Sequence, residues 1–184
     1  MATEVLEKAQ QVARDVLADL SPDQLGLDTP CSRWTVAQVI DHLVGAQHWA
    51  RAAMEGVEGE SGDGSAEGDY LAAFDDAARR SLAAFQADGA LARTVNPGFG
   101  DMPAGALLGL AATDTFTHAW DLARATGQST DLDADLAAGL LEASRESIRP
   151  EFRDAEGNLF GPEQTAPPGA TTADQLAAFL GRTV

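Results

Sequence analysis

Cysteine is nearly absent from this chain of 184 residues, lysine and tyrosine occur once each, and histidine three times. Each scarcity excludes something. With Cys31 alone, no intramolecular disulfide can form. With Lys8 the sole lysine, Lys and Arg number 12 against 29 Asp and Glu, a formal net charge of −17. A surface so negative repels phosphate backbones and anionic headgroups, which argues against nucleic-acid partners and against docking to anionic membranes. Long apolar runs are missing as well. None approaches the ~20 residues of a membrane-spanning helix. The N-terminal stretch MATEVLEKAQQVARD carries charges where a secretory signal needs an apolar core. The expectation is a cytoplasmic protein. β-branched runs are few, whereas Ala and Leu are abundant, so helices are favoured over strands.

A chain of this length is expected to form a single domain, residues 1–184, able to bury about 70% of its extended surface. The apolar pattern predicts a first helix from Thr3 to Leu20, closed by Ser21-Pro22, and a loop from Asp23 to Arg33. A second helix opens at Thr35, with Gln38 completing a capping box, and runs to Met54. The segment EGVEGESGDGSAEGD has nothing to bury and reads as a flexible surface connection. Helix three spans Tyr70–Ala87. A connection from Gly89 to Asp101 turns at Asn96-Pro97-Gly98 and leads to helix four, which starts near Asp101 and Pro103 and stops at Gly127. A fifth helix, Leu132–Ile148, ends before Pro150, and Thr172 to Gln175 offers a capping box for a short final one. Four long amphipathic helices with short C-terminal additions predict an all-α, four-helix bundle.

Within helix four, Asp114 and His118 stand four residues apart and therefore on one face. A carboxylate and an imidazole so placed can grip one divalent cation but need a further ligand. Only His42 and His48 remain among the histidines. His42 shares its stripe with Val39, Leu43, Ala46 and Trp49, while His48 projects roughly 120° away toward a more polar side. His42 is therefore the better third ligand. The plainer alternative is that Asp114 and His118 form an ion pair, worth a few tenths of a kcal/mol, and His42 a satisfied core residue. Asp121 lies about 60° around the helix from His118. It reads first as the partner of Arg124 at i+3, and only second as support for His118. Cys31 reads as a small buried hydrophobe rather than a ligand or nucleophile, and Trp34 as a packing residue at the helix start.

The segments Thr29-Pro30-Cys31, Trp34, His42-Leu43 and His118-Ala119-Trp120-Asp121-Leu122-Ala123, with the later FGP and AFLGR, carry a family resemblance. The chain resembles the DinB-like superfamily, in the branch of the mycothiol-dependent maleylpyruvate isomerase N-terminal domain. The resemblance implies a four-helix bundle holding a divalent metal at one end, with His42, Asp114 and His118 as ligands. Asp114 departs from the Glu of the best-known relative, which shortens the carboxylate by one methylene. Two nitrogens and one oxygen suit zinc with an open position, with nickel or iron as alternatives. The resemblance also implies a mycothiol co-substrate, an electrophilic small-molecule partner and transferase or isomerase chemistry. That fits the GC-rich source suggested by Arg in place of Lys, and the resemblance implies an actinobacterial one. A metal-activated water acting in hydrolysis, and a non-catalytic metal-binding sensor module, are the competing readings. A homodimer is an open alternative to the monomer.

Overall fold

The structure, a computed structural model, describes residues 2–153 and 160–184. Among these, six helices are present: α1 (Glu4–Ala18), α2 (Val36–Glu55), α3 (Tyr70–Gln86), α4 (Ala104–Thr126), α5 (Ala134–Ser147) and α6 (Thr172–Phe179). The first four form the bundle. Helix α1 packs on α4 and α3, and α2 packs on the same two, so α1 faces α2 across one diagonal and α3 faces α4 across the other. Helices α5 and α6 pack together and lie against α4. No described helix is long and apolar enough to cross a membrane.

Side-chain caps set most boundaries. Thr35 and Gln38 form the expected box, with Gln38 Oε1 accepting from the Thr35 backbone nitrogen at 3.0 Å. Asp69 and Asp133 accept from the nitrogens of Ala72 and Leu136, each at 3.0 Å. They start α3, and start α5 two residues later than the apolar pattern alone predicts. The final box uses Thr171 rather than Thr172, because Asp174 is the residue that reaches back. Gly127 ends α4 at φ 75°, a left-handed value that costs glycine little.

Two connections are more ordered than their composition predicts. Between α3 and α4, β1 (Thr94–Val95) pairs antiparallel with β2 (Met102–Pro103). The intervening tip is pinned to α2 where Trp49 Nε1 donates to the Pro97 carbonyl at 2.8 Å. The acidic segment after α2 is not a free connection either. Asp41 accepts from the nitrogens of Gly64 and Ala66, Ala66 is buried, and Gly62 lies on Gly45 with no room for a Cβ.

The core divides into two clusters. One gathers Leu6, Phe85, Leu107, Phe116, Trp120 and Leu176, and the other Val16, Leu17, Val39, Leu43, Phe74 and Leu122. On each bundle helix a buried polar residue sits between members of the two: Gln10, Gln47, Ser81 and Thr115. Gln10 Nε2 donates to Gln47 Oε1 at 2.8 Å and to the Ala78 carbonyl at 3.1 Å, and Gln47 Nε2 donates to Thr115 Oγ1 at 2.8 Å. The candidate site lies along α2 and α4, at the level of the second cluster.

Candidate metal centre

Helices α2 and α4 bring His42, Asp114 and His118 together, with one donor atom from each lying within 4.8 Å of the others. His42 Nε2 is 3.1 Å from both oxygens of Asp114, and His118 Nε2 is 3.5 Å from Asp114 Oδ1. His118 is buried, while the side chains of His42 and Asp114 keep 29% and 28% exposure, enough for a small molecule to reach them. His48 is half-buried and belongs to neither of the described clusters of metal-competent side chains.

The electrostatics follow from the crowding. Burial alone would raise the Asp114 carboxyl, but His42 and then His118 pull it from 3.8 down to about 2. Burial works against the charged form of His42, yet Asp114, by charge and by hydrogen bond, leaves it above its ordinary value. Asp121 is fully buried, and here the expected pairing is corrected. Arg124 is exposed; the partner is Arg182, whose Nη2 and Nε lie 2.9 and 3.3 Å from the two Asp121 oxygens. Asp121 Oδ2 also lies 3.0 Å from His118 Nδ1. Burial opposes ionisation of Asp121, but the contacts to His118 and Arg182 keep its carboxyl below the usual value.

The segment ahead of α2 is bracketed by Thr29, whose hydroxyl faces the Cys31 carbonyl at 3.2 Å and the Trp34 carbonyl at 2.8 Å. The bracket sets the Trp34 ring 4.5 Å from the His42 ring and 5.3 Å from the His118 ring, centroid to centroid. Trp34 is thus a wall of the site, a role that its position at a helix start does not reveal. Cys31 comes within 4.8 Å of donor atoms on His118 and Asp121. Burial pushes its thiol up, away from the thiolate. A cavity of about 390 Å³ opens beside His42, walled by Trp34, Gln38, Asp41, Glu60 and Asp63.

The donor set fits a divalent cation. With bonds of 2.0–2.1 Å, the edge of a tetrahedral zinc site is roughly 3.3–3.4 Å, and the 3.1 and 3.5 Å nitrogen–oxygen separations bracket it. The facing of Asp121 toward His118 Nδ1 favours the proton there, which leaves the Nε2 lone pair directed at a carboxylate. Either a proton on Nε2 or a cation between the two would separate that lone pair from the carboxylate.

Fold and cluster together define a DinB-like helical bundle with two histidines and one carboxylate gathered between its second and fourth helices. The chain belongs to the family of the mycothiol maleylpyruvate isomerase N-terminal domain, whose model matches residues 6–123. It is 42% identical over 182 residues to uncharacterized protein MT0763 of Mycobacterium tuberculosis (strain CDC 1551 / Oshkosh), covering 97% of this chain and 96% of the relative. The same values hold for uncharacterized protein Rv0738 of strain ATCC 25618 / H37Rv. Among solved structures, the crystal structure of the mycothiol-dependent maleylpyruvate isomerase superposes with a TM-score of 0.60 at 15% identity, over 88% of this chain and 72% of that one. At that identity the shared property is the fold.

Proposed function

We propose that the protein holds one divalent cation, zinc before nickel or iron, on His42 Nε2, Asp114 and His118 Nε2, and uses it in thiol-dependent transfer or isomerisation. The observation that carries this reading is the convergence of both imidazole nitrogens on one carboxylate at the spacing of a tetrahedral edge. Family membership adds the co-substrate: the matching family is described by mycothiol and maleylpyruvate isomerisation, and mycothiol is the first thiol to test. A bound cation would supply Lewis acidity, favouring the thiolate of a low-molecular-weight thiol at neutral pH.

The chain's own residues do the rest. Of the three, His42 lines the 390 Å³ cavity, a volume within the ordinary range for small-ligand sites. Trp34 lies against both imidazoles and narrows their access to solvent, leaving His42 part-exposed. The thiolate sulfur, its proton released to solvent, forms a bond to an electrophilic carbon of the partner molecule as the π bond at that carbon opens and its electron pair moves onto the conjugated carbonyl oxygen. In a transfer the resulting enolate takes a proton from solvent; in an isomerisation rotation follows about what is now a single bond, and return of the electron pair re-forms the double bond and expels the thiolate. Burial pushes the Cys31 thiol up, away from the thiolate, so the role of nucleophile falls to the co-substrate.

The test is metal content by mass spectrometry on untagged protein beside the His42→Ala/His118→Ala double variant, followed by mycothiol titration of the loaded protein and a panel of electrophiles. Near-stoichiometric metal in the wild type and none in the variant is expected, with mycothiol binding only to the loaded form. Wild-type protein that cannot be loaded with zinc, nickel or iron(II) would overturn the metal assignment. Loaded protein that ignores mycothiol with every electrophile would overturn the thiol chemistry.

A further inference from the structure

The buried Asp121–Arg182 pair lies outside the proposed ligand set but touches it, and its position is costly. Asp121 is completely buried on α4, and Arg182 follows α6 with its side chain only 13% exposed. A buried ion pair contributes little net stability compared with apolar residues of the same volume. Its retention at this point therefore calls for a use beyond packing.

The chain makes several local arrangements to bring Arg182 there. Gly181 adopts φ +98° and lies against Gly161, where a Cβ would sit 2.7 Å from the Gly161 Cα and 2.9 Å from its carbonyl carbon. A side chain at Gly181 is thus barred by both conformation and space. The Arg182 nitrogen donates to the Ala177 carbonyl at 3.0 Å, closing the turn after α6. Arg153 donates to the carbonyls of Gly161 and Phe179 at 2.9 and 2.8 Å, binding the two segments from outside. The two glycine-containing segments dock, and the product of that docking is a guanidinium fork on Asp121.

We propose that Asp121 and Arg182 are positioning residues of the centre: Arg182 fixes the Asp121 carboxylate in a two-point grip, and Asp121 fixes the ring and tautomer of His118 through Nδ1. The inference rests on the metal reading for its function but not for its geometry. Asp121 Oδ2 accepts from Arg182 Nη2 at 2.9 Å and lies 3.0 Å from His118 Nδ1, a short contact outside hydrogen-bond alignment, so one oxygen stands against both the guanidinium and the imidazole. With Nδ1 carrying the proton, Nε2 presents its lone pair on the side of Asp114 and His42. Arg182 grips the buried Asp121 carboxylate at two points, which lysine's single point charge would do less rigidly.

The experiment compares cobalt(II) binding, by chelator competition and by the visible spectrum, in wild type, Asp121→Asn, Arg182→Met, Arg182→Lys and the remote core variant Phe85→Leu. Asn can still accept from Nδ1 but turns an amide against Arg182. The expected result is a loss of affinity of about 10–100-fold for Asp121→Asn and Arg182→Met, with a shifted spectrum. Arg182→Lys should fall between these and wild type. Phe85→Leu should melt earlier yet bind cobalt as wild type does, which separates positioning from stability. Wild-type affinity and spectrum in both Asp121→Asn and Arg182→Met, or an equal affinity loss in Phe85→Leu, would overturn the proposal. If Asp121→Asn fails to fold, the two Arg182 variants carry the test. If wild type binds no cobalt, the metal reading fails, and nitrogen-15 chemical shifts of His118 decide the geometry. A proton on Nδ1 in wild type that redistributes in Arg182→Met supports positioning, and an unchanged tautomer overturns it.

Discussion

The Trp34 indole lies 4.5 Å from the His42 imidazole, centroid to centroid, tilted by 34°, and 5.3 Å from that of His118. The two rings that would carry a cation therefore share one aromatic neighbour, and its emission should report what they hold. Addition of nickel(II) or cobalt(II) to metal-free protein is expected to quench tryptophan fluorescence at one equivalent. Trp34→Phe should abolish most of that response while Trp49→Phe leaves it. A quench that persists in Trp34→Phe would place the ion elsewhere.

A second expectation concerns pH. Asp114 is depressed from 3.8 to about 2, so its contribution to stability is present above the unfolded value and is lost as pH falls toward about 2. His42 is raised, so its contribution is present below 6.5 and is lost as pH rises through the folded value. In chelator, the pair should help the protein most between about pH 4 and 6.5 and less at higher pH. A bound cation takes the lone pair that the proton otherwise occupies, so it should stabilise more at pH 8 than at pH 5.5. Melting temperatures in EDTA and in zinc at both values measure this directly, and a zinc increment independent of pH would contradict it.

The polar layer across the bundle makes a third. Gln47 accepts from Gln10 and donates to Thr115, so Gln47→Ala removes the Thr115 hydroxyl's donor and leaves Gln10 Nε2 with the Ala78 carbonyl alone. The expected loss is about 1–3 kcal/mol in urea denaturation. Replacing both glutamines by leucine should cost less than the single alanine, because no amide is then stranded.

A fourth addresses the acidic segment. A Cβ on Gly62 would run into the Asp41 carbonyl and the Gly45 backbone of α2. Gly62→Ala should lift the segment away, with faster proteolysis between residues 56 and 69 and a loss on the order of 1–3 kcal/mol. Cleavage at the wild-type rate would show that the contact does not hold the segment down.

The helices were legible because each has an apolar stripe and a punctuating residue, Thr35 and Gly127 being the clearest. The strands were not, since two residues each cannot show a period of two. The three converging side chains were readable because i, i+4 spacing fixes Asp114 and His118 on one face and the stripe of His42 singles it out from His48. Asp121 was misread toward Arg124 because local spacing is all that a sequence displays. Its partner lies 61 positions away and arrives through a contact between two glycines. Trp34 was read as packing because nothing in one dimension tells which ring it covers.

The separation of His42 and Asp114 by 72 positions has a further consequence. In the unfolded chain, two points so far apart meet at an entropic cost that grows only logarithmically with the loop. An ion shared between α2 and α4 would act as a detachable cross-link over that whole loop. Its worth would be set by the free concentration of the ion against its dissociation constant. The lifetime of the folded chain would then rise and fall with the cell's ion supply, making persistence itself a record of metal availability.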